Sequence, residues 1–120
     1  MNLAIQTLVV IVDKISETQF FALYDGRIVG RVGITLVDDG NYASIRQLFV
    51  QPAYGRQGIG SMLMAACHTE AMRWKVDYII LSAKTERLHD WYFNRGYGAY
   101  GSDSELGYHM RRNFNYAKSH

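Results

Sequence analysis

The sequence predicts an α+β domain whose mostly antiparallel, twisted sheet contains one parallel strand pair bridged by a helix. Three observations carry this reading. Residues 20 to 50 hold three apolar, β-branched runs separated by turn signals, the pattern of an antiparallel meander. An amphipathic helical stretch follows, from about Gly58 to Arg73, and leads into the apolar run Asp77–Ala83. A strand–helix–strand succession of that size forms a right-handed crossover, which sets Tyr42–Val50 and Asp77–Ala83 parallel to each other. At 120 residues with 48% apolar content, the chain forms a single domain, residues 1–120, large enough for one core.

Taken in order, Leu3–Val12 is rich in β-branched residues and reads as an edge strand. Asp13–Gln19 is short and polar, with room for one or two helical turns. Phe20–Tyr24 and Ile28–Val37 are strands joined at Asp25-Gly26, a hairpin signal. The turn Asp38-Asp39-Gly40-Asn41 precedes strand Tyr42–Val50. In the helix, Ile59, Leu63, Ala66, Cys67 and Trp74 share one stripe at three-four spacing, the face expected against the sheet. Asp77–Ala83 is apolar on both faces, as a central strand should be. Thr85–Asn94 is a short helix that stops at Gly96. Tyr97–Tyr100 and Glu105–Arg111 close the domain as strands around Gly101-Ser102-Asp103-Ser104, and the polar tail Asn113–His120 is expected to fray.

Composition excludes several classes of function. A net charge of +2, from 13 basic and 11 acidic residues, argues neither for nor against a nucleic-acid or membrane partner, but no basic–aromatic track suggests nucleic acid. Leu8–Val12 is too short for a signal core or a membrane span. The single cysteine, Cys67, cannot form an internal disulfide; it suits a reducing compartment, so a cytoplasmic location is expected, and it reads as a small core residue. The four histidines never pair at metal-ligand spacing, and no serine sits in a nucleophile elbow.

The informative stretch is Leu48 to Leu63. An apolar strand end breaks at Pro52, passes Gly55, Gly58 and Gly60 within six residues, and becomes a helix. Glycines let backbone approach a ligand closely, and the helix start offers free N–H groups and a positive dipole end. Such a junction is an anion site, most often for phosphate. It is not a P-loop: Gly55 and Gly60 fit the outer glycines, but no Lys-Ser/Thr follows Gly60. Nor is it a dinucleotide fingerprint, because Leu63 stands where the third glycine belongs.

The stretch resembles the pyrophosphate loop of the GNAT superfamily of acyl-CoA-dependent N-acyltransferases, Gln/Arg-x-x-Gly-x-Gly/Ala after a Leu-x-Val strand end. Leu48-x-Val50, the Pro52-x-Tyr54 lead-in and Gly58-x-Gly60 match. Gly55 takes the place of the family's Gln/Arg, and Arg56 comes one residue late. A second family pattern, Ala-x-x-Phe-Tyr-x-x-x-Gly-Phe, resembles Leu88 to Tyr97, with Tyr92 four residues before Gly96 and Thr85 where an Asn usually stands. The predicted element order also matches the family, except that members carry two helices between the first two strands. This chain therefore reads as a compact form with a shortened N-terminal helical region.

The resemblance implies a parallel pair that splays to admit the pantetheine arm of acetyl-CoA, the co-substrate. Leu48 and the backbone of Phe49 and Val50 would hold the arm. Gly55, Arg56, Gln57, Gly58, Ile59, Gly60 and Ser61 would hold the pyrophosphate, with Thr85 contributing from the second helix. Tyr92 would be the acid that protonates the departing thiolate. The activity implied is acetyl transfer to a primary amine, of a small molecule or a protein, by direct attack in a ternary complex. The family often takes a base from the strand before the loop, but that strand offers only Ser44, Arg46 and Gln47. Glu105 and His109 are the remaining candidates, with a water relay as an alternative. A non-catalytic module of the same fold, binding CoA or a protein partner, is the second reading. With little chain left to wall the acceptor side, a homodimer built on the Leu3–Val12 edge is expected.

Overall fold

The computed structural model describes residues 3–12, 15–37 and 40–114. Strands β1 (Leu3–Val12), β2 (Ile15–Tyr24), β3 (Arg27–Val37) and β4 (Tyr42–Val50) run as an antiparallel meander. Helix α1 (Ile59–Trp74) crosses back to β5 (Tyr78–Ala83), which is parallel to β4. Helix α2 (Glu86–Phe93) leads to β6 (Gly98–Asp103) and β7 (Gly107–Asn113), a hairpin whose β7 pairs with β5. The sheet order is β1-β2-β3-β4-β5-β7-β6. This is the mixed sheet the sequence predicts, antiparallel apart from one pair.

One segment overturns its expectation. Ile15–Gln19 is not a helical stub but the first half of β2, paired with β1 from Val12↔Ile15 to Leu3↔Tyr24. The reason is a core position occupied by a polar residue. Thr18 lies opposite Ile34 and is 5% exposed, so the run Ser16-Glu17-Thr18-Gln19 lacks the apolar alternation of a half-buried strand. The N-terminal helical region is therefore absent among the described residues rather than shortened. Strand β6 also runs further than expected, through Gly101-Ser102-Asp103, and β7 starts later, at Gly107. Asn113 belongs to β7 instead of a tail, and the Phe114 amide donates to the Asp77 carbonyl at 2.8 Å. Asp38-Asp39 and the tail beyond Phe114 lie outside the described residues.

Both helices cover the same face of the sheet. Alternate residues of the strands point there, and Phe20, Val32, Ile34, Ile45, Ile79, Leu81 and Met110 are buried beneath the helices. α1 contributes Ile59, Leu63, Met64, Cys67 and Ala71, while Ala66 and Trp74 of the expected stripe are only half-buried. Gly30 in β3 allows the close approach: a Cβ there would stand 3.1 Å from Leu63 Cδ1. The opposite face carries no helix among the described residues. It presents Glu17, Gln19, Arg31, Arg46, Ser82, His109 and Arg111.

The parallel pair is short. β4 and β5 pair only at Tyr42↔Tyr78, Ala43↔Ile79 and Ser44↔Ile80, and then they diverge. β4 is bent at this level by a bulge. Arg46 stands opposite Gly33 and Phe49 opposite Arg31, with Gln47 at φ 57, which leaves one extra residue on β4. From residue 46 onward, the edge of β4 that faces β5 is open backbone.

Candidate active site

The fork between β4 and β5 opens onto a cleft of about 740 Å³ at the N-terminal ends of both helices. Leu48 and Val50 line it from β4, and Gly55, Arg56, Gly58, Gly60 and Ser61 from the loop and first turn of α1. Thr85, Arg87, Leu88 and Trp91 close it from α2.

The loop is pinned before it turns. The Gln51 amide donates to the Val29 carbonyl at 2.8 Å, Pro52–Tyr54 form one 3-10 turn, and the Tyr54 ring packs on Tyr24. Gly58 is the N-cap of α1 at φ 75, a left-handed conformation that disfavours a side chain. No side chain caps this helix, so its first N–H groups remain available to an anion in the cleft. Gly60 lines the cleft in the first turn of the helix. A Cβ on it would meet the Trp91 ring at 3.4 Å.

Thr85 takes an extended conformation and caps α2, its hydroxyl accepting the Leu88 N–H at 3.1 Å. It lines the cleft with that oxygen already engaged. Arg95 ties the two helices together at the cleft wall. Its guanidinium lies 3.5 Å from the Trp91 ring centre and donates to Ser61 Oγ at 2.6 Å and to the Trp91 carbonyl at 2.9 Å. Sequence reasoning missed Arg87, Leu88, Trp91 and Arg95. The signal was present: Leu88, Trp91 and Arg95 recur at three-four spacing along α2 and the turn that follows it.

The other expected site residues lie elsewhere. Phe49 projects from the helix-free face, is 50% exposed, and is not among the residues lining the cleft. Gln57 is exposed in the turn, and Ile59 is a core residue. Tyr92 is buried, edge-on to Trp91 and Tyr97, and is not among the residues lining the cleft. Burial, with Cys67 adding and Arg95 opposing, pushes its phenol up to about 12, so it stays protonated at neutral pH. Cys67 is buried too, and burial followed by nearby Glu70 raises its thiol to about 12, that of an inert core residue.

Behind Tyr92 runs a polar chain. His68 is hydrogen-bonded to the Tyr97 hydroxyl at 2.8 Å and to Arg112 at 3.2 Å, and Arg112 also donates to the Arg95 carbonyl. A guanidinium can only donate, so His68 Nδ1 accepts from Arg112, and Nε2 carries the proton and donates to Tyr97. Burial and the Arg112 charge lower His68 to about 4 and keep it neutral.

A glycine loop and an uncapped helix start thus stand beside a forked parallel pair, the arrangement of an acyltransferase fold. The acetyltransferase (GNAT) family model matches residues 8–98, and the chain belongs to that family. No curated protein matches the chain. Among solved structures, it is similar to PaiA N-acetyltransferase from Thermoplasma acidophilum in complex with coenzyme A, at 16% identity and a TM-score of 0.73, covering 82% of this chain and 61% of that one. An acetyltransferase from Streptococcus agalactiae gives 20% identity and a TM-score of 0.72, over 82% and 67%. Ard1 from Thermoplasma volcanium gives 23% and 0.70, over 79% and 69%. The chain thus spans about three-fifths of the PaiA enzyme's length. At these identities, the likeness establishes the fold.

Proposed function

We propose that this protein transfers an acetyl group from acetyl-CoA to a primary amine by direct attack within a ternary complex. The observation that carries the proposal is the fork, where β4 loses its partner after Ser44 and opens onto an uncapped helix N-terminus behind Gly58. In this reading, the loop Gly55–Ser61 and Arg56 hold the pyrophosphate, with Gln57 at its margin. The backbone of Phe49 and Val50 takes the pantetheine arm as a missing strand would, and one of those amides polarises the thioester carbonyl. Tyr92, kept protonated by burial, is the proton donor to the thiolate. The lone buried thiol suits a reducing compartment such as the cytoplasm, and no helix among the described residues is long and apolar enough to cross a membrane. The uncharged edge strand β1, with Leu8, Val9 and Ile11 exposed, supports a homodimer.

Thermal unfolding with and without acetyl-CoA tests the proposal. Ligand at a hundredfold excess over Kd stabilises by ~2.7 kcal/mol and raises the melting temperature. Gly58→Val, which forces a β-branched residue to φ 75, abolishes that rise. Absence of any rise in the wild type at millimolar ligand defeats the cofactor assignment. A rise with no thiol release toward any amine supports the non-catalytic module instead.

A further inference from the structure

The helix-free face holds a second ordered polar group beside the fork. His109 on β7 and Ser82 on β5 are cross-strand partners on that face. Ser82 stands two residues beyond Ile80, the last residue of β5 paired with β4, so it sits where the fork opens. Asp103 reaches across from β6. Its Oδ2 accepts from His109 Nε2 at 2.8 Å, while Oδ1 accepts the backbone N–H groups of Leu106 at 2.6 Å and Glu105 at 2.9 Å. The Leu106 amide, then that of Glu105 and the imidazole, hold this carboxyl below the usual carboxylate range, although desolvation opposes them. An ionised carboxylate only accepts, so in the neutral imidazole the proton resides on Nε2, and Nδ1 presents its lone pair. The sole partner of Nδ1 among the described residues is Ser82 Oγ at 3.4 Å, a contact long enough to yield to an incoming amine.

We propose that His109, held by Asp103, is the general base of the acetyl transfer, and that the acceptor amine reaches the fork from the helix-free face. The proposal rests on the acetyltransferase reading above. An alkylammonium with a pKa near ~10 is not a nucleophile at neutral pH. His109 Nδ1 takes one proton from it, and the freed amine attacks the thioester carbon. The C–N bond forms, the C–S bond breaks, and the second nitrogen proton leaves as the thiolate is protonated to the free thiol. The imidazolium then returns its proton to water. Asp103 is a positioning residue that fixes the tautomer and steadies the imidazolium. Glu105, the other sequence candidate, lies exposed in the β6–β7 turn and offers Asp103 only its backbone N–H. The remaining groups around His109 are the Tyr100 ring at 6.1 Å, Arg111 two residues along β7, and Arg46 on the same face across the fork.

The test measures thiol release from acetyl-CoA with n-butylamine and with a lysine-bearing peptide, alongside 15N spectra of the histidines. His109→Ala lowers kcat/KM at least ~100-fold without weakening acetyl-CoA binding, and added imidazole restores part of the rate. Asp103→Asn lowers kcat with KM unchanged and mixes the His109 tautomers, which are Nε2–H alone in the wild type. Wild-type turnover by His109→Ala, or an Nδ1–H tautomer in the unmodified protein, overturns the assignment. Acetyl-CoA binding with neither amine acetylated defeats the acetyltransferase reading, and this proposal falls with it. Failure of the His109 variants alone, with the wild type active, defeats only the base.

Discussion

The two faces of the sheet are made by the same strands and differ in everything else. On one, Val32, Ile34, Ala43, Ile45, Ile79 and Leu81 are sealed under two helices. On the other, their immediate neighbours Arg31, Thr35, Ser44, Arg46, Tyr78 and Ser82 meet no helix among the described residues. A strand's two-residue period makes such a division possible without spending extra chain. The covered face supplies cohesion and shapes the cleft wall, whereas the bare face is free to vary its polar groups. The proposed reaction at the fork draws on both, because the open backbone edge of β4 lies between them.

The largest effects should come from cutting into the covered face. Leu63→Ala removes a fully buried side chain packed on Gly30 and costs about 3–5 kcal/mol, read as a denaturant midpoint shift at constant slope. If the loss is below ~1 kcal/mol, α1 is not the clamp of this core. Next comes Tyr92→Phe, which removes one oxygen from the covered side. Turnover falls by roughly 10- to 1,000-fold with acetyl-CoA affinity within a few-fold. Equal turnover removes Tyr92 from the chemistry, and lost affinity makes it a binding residue.

A smaller effect depends on pH. His68 has a folded-state pKa of about 4, below the ordinary 6.5 of a histidine, so the unfolded chain binds the proton more readily. Its contribution is complete above the higher value and is lost as pH falls toward the lower one. The melting temperature should therefore drop between these values more steeply in the wild type than in His68→Gln. Parallel curves would show that the imidazole does not report on the helix–sheet junction. Smallest of all, Phe49→Ser on the bare face changes stability by about 0.5 kcal/mol or less, since half of that ring already meets solvent. A core-sized loss there would mean that something covers this face in solution.

The sequence made the covered face legible and the bare one obscure, for a physical reason. Apolar periodicity reports burial, so β3, β4, β5 and α1 announced themselves, and so did the glycine loop. β6 is exposed along its whole length and has no such period, so Gly101-Ser102-Asp103 read as a loop. Ile15–Gln19 hid in the same way, its one buried position being taken by Thr18. The bulge at Gln47 is carried by a residue with no preference for positive φ, and nothing in the letters announces it. His109 could be named from the sequence as a candidate, but the carboxylate that orients it lay in a stretch with no visible strand.

The bridge from Arg95 to Ser61 and Trp91 has a consequence for association. It parks a permanent cation at the first turn of α1, with Arg56 and Arg87 lining the same cleft. Three guanidinium groups around one opening form a concentrated positive field on a protein whose net charge is only +2. A polyanionic nucleotide is drawn toward such a field from a distance, at a rate set by the Debye length of the medium, about 10 Å at 0.1 M salt. Raising the ionic strength should slow its arrival well before it loosens the complex once formed.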